Sequence, residues 1–161
     1  MSGTHAILVE NWAGEIWAMA YFRNLSGWQI ALFGGVFLLH LVETAYSVWW
    51  GVGDILIRTV PATHAYYRDS WVDLVLGTSL AQDSIYFLAT AILTVSFAGL
   101  VMRKAWAFWA YVAASLLFNI DWILTGLAGN DQQPEAGYFS LAYAGVLSLL
   151  LWLTNRVGIC R

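Results

Sequence analysis

His40 and Glu43 stand one turn apart inside a long apolar run, and Asp83 and Asp121 fall within two further runs. A charge at the bilayer centre costs at least ~2.5–3.5 kcal/mol on insertion scales, so an intramembrane ionisable group marks a functional site by default. The chemistry that suits such a set is proton transfer. A carboxylic acid kept neutral by its surroundings can donate a proton, while a better solvated one stays ionised and acts as base or stabilises a cation. Aromatic rings nearby, Trp50, Trp122, Tyr46 and Tyr86 among them, could offer π faces to a carbocation or an ammonium group. These parts suit double-bond migration or cyclisation of a lipophilic molecule, and equally the binding of an amphipathic amine or sterol without reaction.

Helical spacing arranges the polar groups in stripes. His40, Glu43 and Ser47 share one face, with Tyr46 beside it. Asp83, Tyr86 and Thr90 form a second stripe. Ser115, Asn119 and Trp122 form a third, from which Asp121 is offset by roughly 100° at 3.6 residues per turn. Ser140 and Tyr143 lie at suitable depth on the last helix. Helix rise puts Glu43 roughly 10 Å, Asp121 roughly 9 Å and Asp83 roughly 6–8 Å inside the same end of the bundle. The expectation is one polar pocket with Glu43, Asp83, His40 and Asp121 as catalytic candidates. Tyr46, Tyr86, Asn119, Trp122, Trp50 and Tyr143 are the substrate-binding candidates. A plainer reading stands beside it: buried polar side chains also join membrane helices by hydrogen bonds, and Asp83 and Asp121 could sit among headgroups. Gly34, Gly35, Ala113 and Ala114 read as helix contacts.

The elements that must carry these residues follow from composition. The 161-residue chain is 60% hydrophobic and 11% charged, against ~25% charged for a soluble domain. It reads as an all-α integral membrane protein, a four-helix transmembrane bundle. A span needs ~20 apolar residues. The runs at about 28–50, 78–102, 105–127 and 138–154 qualify, making 28–155 the membrane domain. Residues 51–77 read as a long loop, the kind that serves as a lid or binding loop. Within it, 55–60 or 71–76 could lie along the interface. Residues 1–27 read as an N-terminal segment with an interfacial amphipathic helix over 7–23. Gly129-Asn130-Asp131 before Pro134 marks a turn, and Arg103-Lys104 a short connection. Arg23, Arg103, Lys104, Arg156 and Arg161 fall on one side, with only Arg58 and Arg68 on the other. The basic excess puts both termini in the cytoplasm.

Several chemistries drop out. The sole lysine, Lys104, sits at a helix end, which removes a retinal-type Schiff base. One span histidine cannot make a bis-histidine haem site. There is no Gly-rich phosphate loop, nothing suggests nucleic-acid binding, and the chain reads HLVE where a zinc protease has H-E-x-x-H. His40, Glu43, Asp83 and Asp121 are of types that could hold a hard or borderline divalent ion, but no metal or cofactor is assigned. Cys160 is a lone thiol near the C-terminus, incidental or open to palmitoylation.

With four spans, a long first connection and a short basic second one, the layout resembles the EXPERA group, which includes a sterol isomerase. The pair His40 and Glu43 on the first helix is similar to that family's His–acid pair, at a spacing of three residues where the family's is usually four. Asp83 occupies the place of its second-helix glutamate, and Asn119-x-x-Trp122 resembles an Asn-x-x-Trp pattern, on the third span and not the last. The resemblance covers roughly 28–155. It implies isomerisation of a sterol- or isoprenoid-like substrate, with Glu43 and Asp83 as the acid–base pair and His40 assisting. The leading expectation is thus a membrane isomerase or cyclase whose partners are a lipophilic small molecule and the bilayer. The alternative is a non-catalytic small subunit or assembly protein of a larger membrane complex. A proton relay is a third possibility. A homo-oligomer or a complex partner stays open.

Overall fold

The computed structural model describes residues 21–127 and 134–161, with the backbone alone for 134–136. The amphipathic segment expected over 7–23 and the Gly129–Asp131 turn therefore lie largely or wholly outside the described residues. Every regular element among the described residues is helical. They are α1 (Gly27–Thr59), a 3-10 turn (Pro61–Tyr66), α2 (Asp69–Gly77), α3 (Leu80–Val101), α4 (Trp106–Leu127) and α5 (Pro134–Arg156). Four helices, α1, α3, α4 and α5, are long and apolar enough to cross a membrane.

Local chemistry sets their limits. Ser26 and Gln29 form a capping box at the start of α1, and Ser79 and Gln82 another at the start of α3. Each satisfies amide groups that a helix start otherwise leaves unpaired. At the end of α5 the amides of Ile159 and Gly158 bond back to the carbonyls of Thr154 and Asn155, with Gly158 at φ 76°. This is the Schellman arrangement, and it needs the left-handed backbone that glycine supplies.

Helix α1 packs on α3 and α5, α3 on α4, and α4 on α5, so the four spans form a ring with α1 diagonally opposite α4. The inner half of the ring is an apolar core. Phe33, Val36, Leu93, Leu100, Leu147 and Leu151 bury there. That half is sealed at its end by the α3–α4 connection and the C-terminus. Arg103 donates to the Ile159 and Tyr21 carbonyls, and the Arg161 amide donates to the Arg103 carbonyl. Tyr21, the short connection and the C-terminus thus share one end of the bundle.

The other end departs from expectation. Residues 51–77 are not a loop: α1 continues past Trp50 to Thr59, and most of the remainder folds as the 3-10 turn and α2. At 33 residues α1 is roughly 50 Å long, more than the ~30 Å of hydrocarbon it has to cross. Helix α2 folds back on that extension. Val72 and Val75 pack with Ile57 in a small second core. The Trp71 ring stacks on Trp50 at 4.3 Å and crosses Gly53, where an added Cβ would meet it at 2.7 Å. Gly34 and Gly35, expected as helix contacts, face open space. Ala114 is buried as expected, whereas Ala113 is exposed.

Candidate active site

The polar groups expected in one pocket occupy two levels of the bundle. The outer level is a cleft of about 100 Å³ beneath α2, lined by Trp50, Asp54, Thr78, Asp83, Tyr86 and Asp121, with Leu74, Val75 and Thr125. Asp83 sits in the first turn of α3. Arg58 reaches it from the α1 extension, Nη2 to Oδ2, at 2.7 Å. The same guanidinium donates to the Thr78 carbonyl and hydroxyl, and Thr78 Oγ1 lies 3.1 Å from Asp83 Oδ1. Such charge-assisted contacts fix a carboxylate in place. Asp54 is one turn before Arg58, 8% exposed, and its Oδ1 faces Trp71 Nε1 at 3.4 Å. Asp121 lines the cleft from the last turns of α4, and its carboxyl makes no hydrogen bond among the described residues. Tyr86 closes the floor: its hydroxyl donates to the Ser47 carbonyl at 2.7 Å, and its ring meets Phe118 edge-on.

The inner level is built around His40, which is fully buried. Nε2 lies 2.9 Å from Ser96 Oγ, and Ser96 Oγ lies 2.8 Å from the Ala107 carbonyl. A hydroxyl has one proton to give. Ser96 gives it to the carbonyl, so His40 must donate through Nε2–H, leaving Nδ1 to face Thr44 Oγ1 at 3.1 Å. One turn outward, Tyr111 of α4 reaches across the ring diagonal and donates to Glu43 Oε1 at 3.1 Å. Glu43 Oε2 is buried without a hydrogen-bond partner among the described residues. The Tyr111 ring also meets the His40 ring edge-on at 5.2 Å.

Glu43 and Asp83 therefore do not form the acid–base pair of a shared pocket: helix register sets them roughly 10 Å apart along the bundle, and neither His40 nor Glu43 lines the cleft. Among the described residues no three His, Cys, Asp or Glu side chains gather closely enough to hold a metal ion, so the set His40, Glu43, Asp83 and Asp121 is not a metal cage. Of the expected binding residues, Trp50 and Tyr86 line the cleft and the others do not. Tyr46 is 58% exposed on the outside of α1. Asn119 donates to the Ser115 carbonyl of its own helix. Trp122 lies against Gly137 and the Tyr138 ring, and Tyr143 donates to the Leu39 carbonyl, joining α5 to α1.

Asp54, Thr78 and Thr125 in the cleft, Arg58 behind it, and Tyr111, Ser96 and Thr44 within were not anticipated. Asp54 and Arg58 do carry a signal, an acid–base pair at the i, i+4 spacing of a helix, but it is visible only once residues 51–59 are taken as helical. Tyr111 and Ser96 carry none, because partners on other helices are not encoded in spacing. No family model, no curated protein and no solved structure matches the chain.

Proposed function

We propose that the protein is a membrane-embedded isomerase or cyclase that transfers protons on a lipophilic, sterol- or isoprenoid-like substrate, with the outer cleft as its reaction site. One observation carries the reading. Asp54, Asp83 and Asp121 converge on a single cleft with Trp50 and Tyr86, and Arg58 engages only one of the three acids. Two carboxyl groups in different settings are what acid–base chemistry needs. Asp83, tied to Arg58, serves as the ionised partner. Asp121, without a hydrogen-bond partner among the described residues, gives and takes the proton, and Asp54 supports it from the opposite wall. Trp50 and Tyr86 face a developing cation. The cleft lies where α1 leaves the hydrocarbon layer, a level at which an amphiphile's polar end and apolar body are both accommodated. The basic residues at the opposite end support a cytoplasmic location for both termini.

The test is purification in mild detergent followed by native mass spectrometry and lipidomics of the wild type, Asp121→Asn and Asp83→Asn. A stoichiometric isoprenoid or sterol that the wild type retains and converts, and that Asp121→Asn retains unconverted, supports the reading. An empty cleft with a stoichiometric protein partner overturns it in favour of a small subunit of a membrane complex.

A further inference from the structure

Between the Tyr86–Ser47 contact and the His40–Ser96 contact lies one level of the ring on which α1, α3 and α4 each present a polar side chain. They are Glu43 on α1, Thr90 on α3 and, around the same level, Tyr111 with Ser115 one turn nearer the cleft on α4. Glu43 Oε2, Thr90 Oγ1 and Ser115 Oγ are all buried, and none makes a well-formed hydrogen bond among the described residues, although the Thr90 and Ser115 hydroxyls interact with those of Tyr86 and Tyr111. Buried polar atoms are almost always satisfied, and where protein does not satisfy them internal water does. Three such atoms, from three helices, at neighbouring levels of one bundle and beside two tyrosine hydroxyls, are where internal water would complete the bonding.

We propose that Glu43, Thr90, Ser115 and Tyr111 hold a file of internal water that joins the outer cleft to the buried Glu43–His40 array, a proton half-channel closed at its inner end. The route begins at Asp121 and Tyr86 in the cleft, passes Ser115 and Thr90, and ends at the free oxygen of Glu43. Beside and below that point the polar groups Thr44, His40 and Ser96 bond to one another and to the Ala107 carbonyl. Beyond them the described core is built from apolar side chains, Phe33, Val36, Leu93, Leu100, Leu147 and Leu151, which carry no proton. The titratable groups around Glu43 are His40 on its own helix, Tyr111 from α4 and Tyr143 from α5. Tyr143 has already committed its proton to the Leu39 carbonyl. From α3 the nearest groups are the neutral Thr90 and Ser96. A proton arriving along the water adds to Glu43 Oε2 and returns the same way, with no bond between heavy atoms made or broken. The proposal does not rest on the reaction in the cleft: its route starts from the lining residues Asp121 and Tyr86, but Glu43, Thr90, Ser115 and Tyr111 lie outside the lining.

Radiolytic hydroxyl footprinting with mass spectrometry, on the protein in lipid nanodiscs, tests for the water, because ordered water labels the side chains it touches even where bulk solvent does not reach. Tyr111 and Phe33 are both buried, at 0% and 6% exposure. Tyr111 is expected to be labelled several-fold more than Phe33, and to lose that excess when Thr90→Val and Ser115→Ala are combined. Equal, low labelling of the two rings in the wild type overturns the proposal without reference to any variant. The proton is followed by infrared difference spectroscopy after an acid pulse. A carboxylic C=O band present in the wild type and missing in Glu43→Gln supports protonation of Glu43 through the file; an unchanged band in Glu43→Gln overturns it. Neither measurement uses a substrate, so failure here leaves the isomerase reading to its own test.

Discussion

At the scale of single residues, Ser96 shows how closely the buried polar groups are matched. It accepts from His40 and donates to Ala107, joining α1, α3 and α4 through one hydroxyl. Hydrogen bonds between membrane helices average only ~0.6 kcal/mol, up to ~1.7, because the unfolded chain in lipid also finds partners. Ser96→Ala should cost about 1 kcal/mol, measured as denaturant unfolding in mixed micelles. The ion pair behaves differently. Arg58 and Asp83 have side chains 23% and 11% exposed, between the surface case and the fully buried one. Arg58→Met alone leaves Asp83 short of its partner and should destabilise by about 1–3 kcal/mol. Arg58→Met with Asp83→Leu should cost less than either alone, since two charges then need no desolvation. A double variant as unstable as the sum of the singles would count against that account. The types of these residues were visible in the sequence; His40 and Glu43 were singled out because ionisable groups are rare in apolar runs. Their partners were not visible. Which helix stands opposite α1 decides that Tyr111 meets Glu43, and ring order has no signature in spacing.

Among the elements, spans of about twenty apolar residues were legible because the bilayer demands them. The α1 extension was not, because tryptophans such as Trp50 mark the membrane interface, where a span is expected to end, and Gly51 and Gly53 follow directly. Both glycines serve close approach instead. A Cβ at Gly51 would meet the Phe87 ring at 3.2 Å, and one at Gly53 the Trp71 ring at 2.7 Å. The helix tolerates their low propensity since α3 and α2 pack directly on it. Gly53→Ala should therefore push Trp71 off Trp50 and loosen α2 over the cleft. The expected readouts are a shift in tryptophan emission and easier proteolysis of residues 61–77. Gly35→Ala, facing open space in the same helix, is the control and should be neutral or stabilising by up to ~1 kcal/mol. A disturbance of α2 by Gly35→Ala equal to that by Gly53→Ala would mean that propensity, not the Trp71 contact, governs this helix.

For the molecule as a whole, the two ends of the bundle have opposite designs: an acid-lined cleft under a folded-back helix at one, and a tied-down knot of backbone at the other. The knot depends on Arg103, which sits at φ 55°, a left-handed conformation that side chains other than glycine, asparagine and aspartate rarely adopt. Its guanidinium gives arginine a role there. It holds the Ile159 and Tyr21 carbonyls at 2.8 and 2.7 Å, so the strain is offset by contacts that glycine could not make. The knot also encloses Cys160, 4% exposed with its thiol facing Thr154 Oγ1. Palmitoylation of that thiol is not compatible with the folded C-terminus. Burial pushes the Cys160 thiol up from its usual range, ahead of the opposing effects of Thr154 and Arg103. The folded protein accordingly holds less reactive thiolate than an exposed cysteine at any mildly alkaline pH. Maleimide labelling at pH 8 should be slow in the wild type. Arg103→Ala should accelerate it several-fold, having lost both carbonyl contacts while keeping the strained backbone. Arg103→Gly separates the two effects: it relieves the backbone but also frees residues 157–161, so its labelling should be as fast as that of Arg103→Ala while its thermal stability is higher. Slow labelling in Arg103→Gly would show that backbone conformation, and not the guanidinium, keeps this end of the bundle closed.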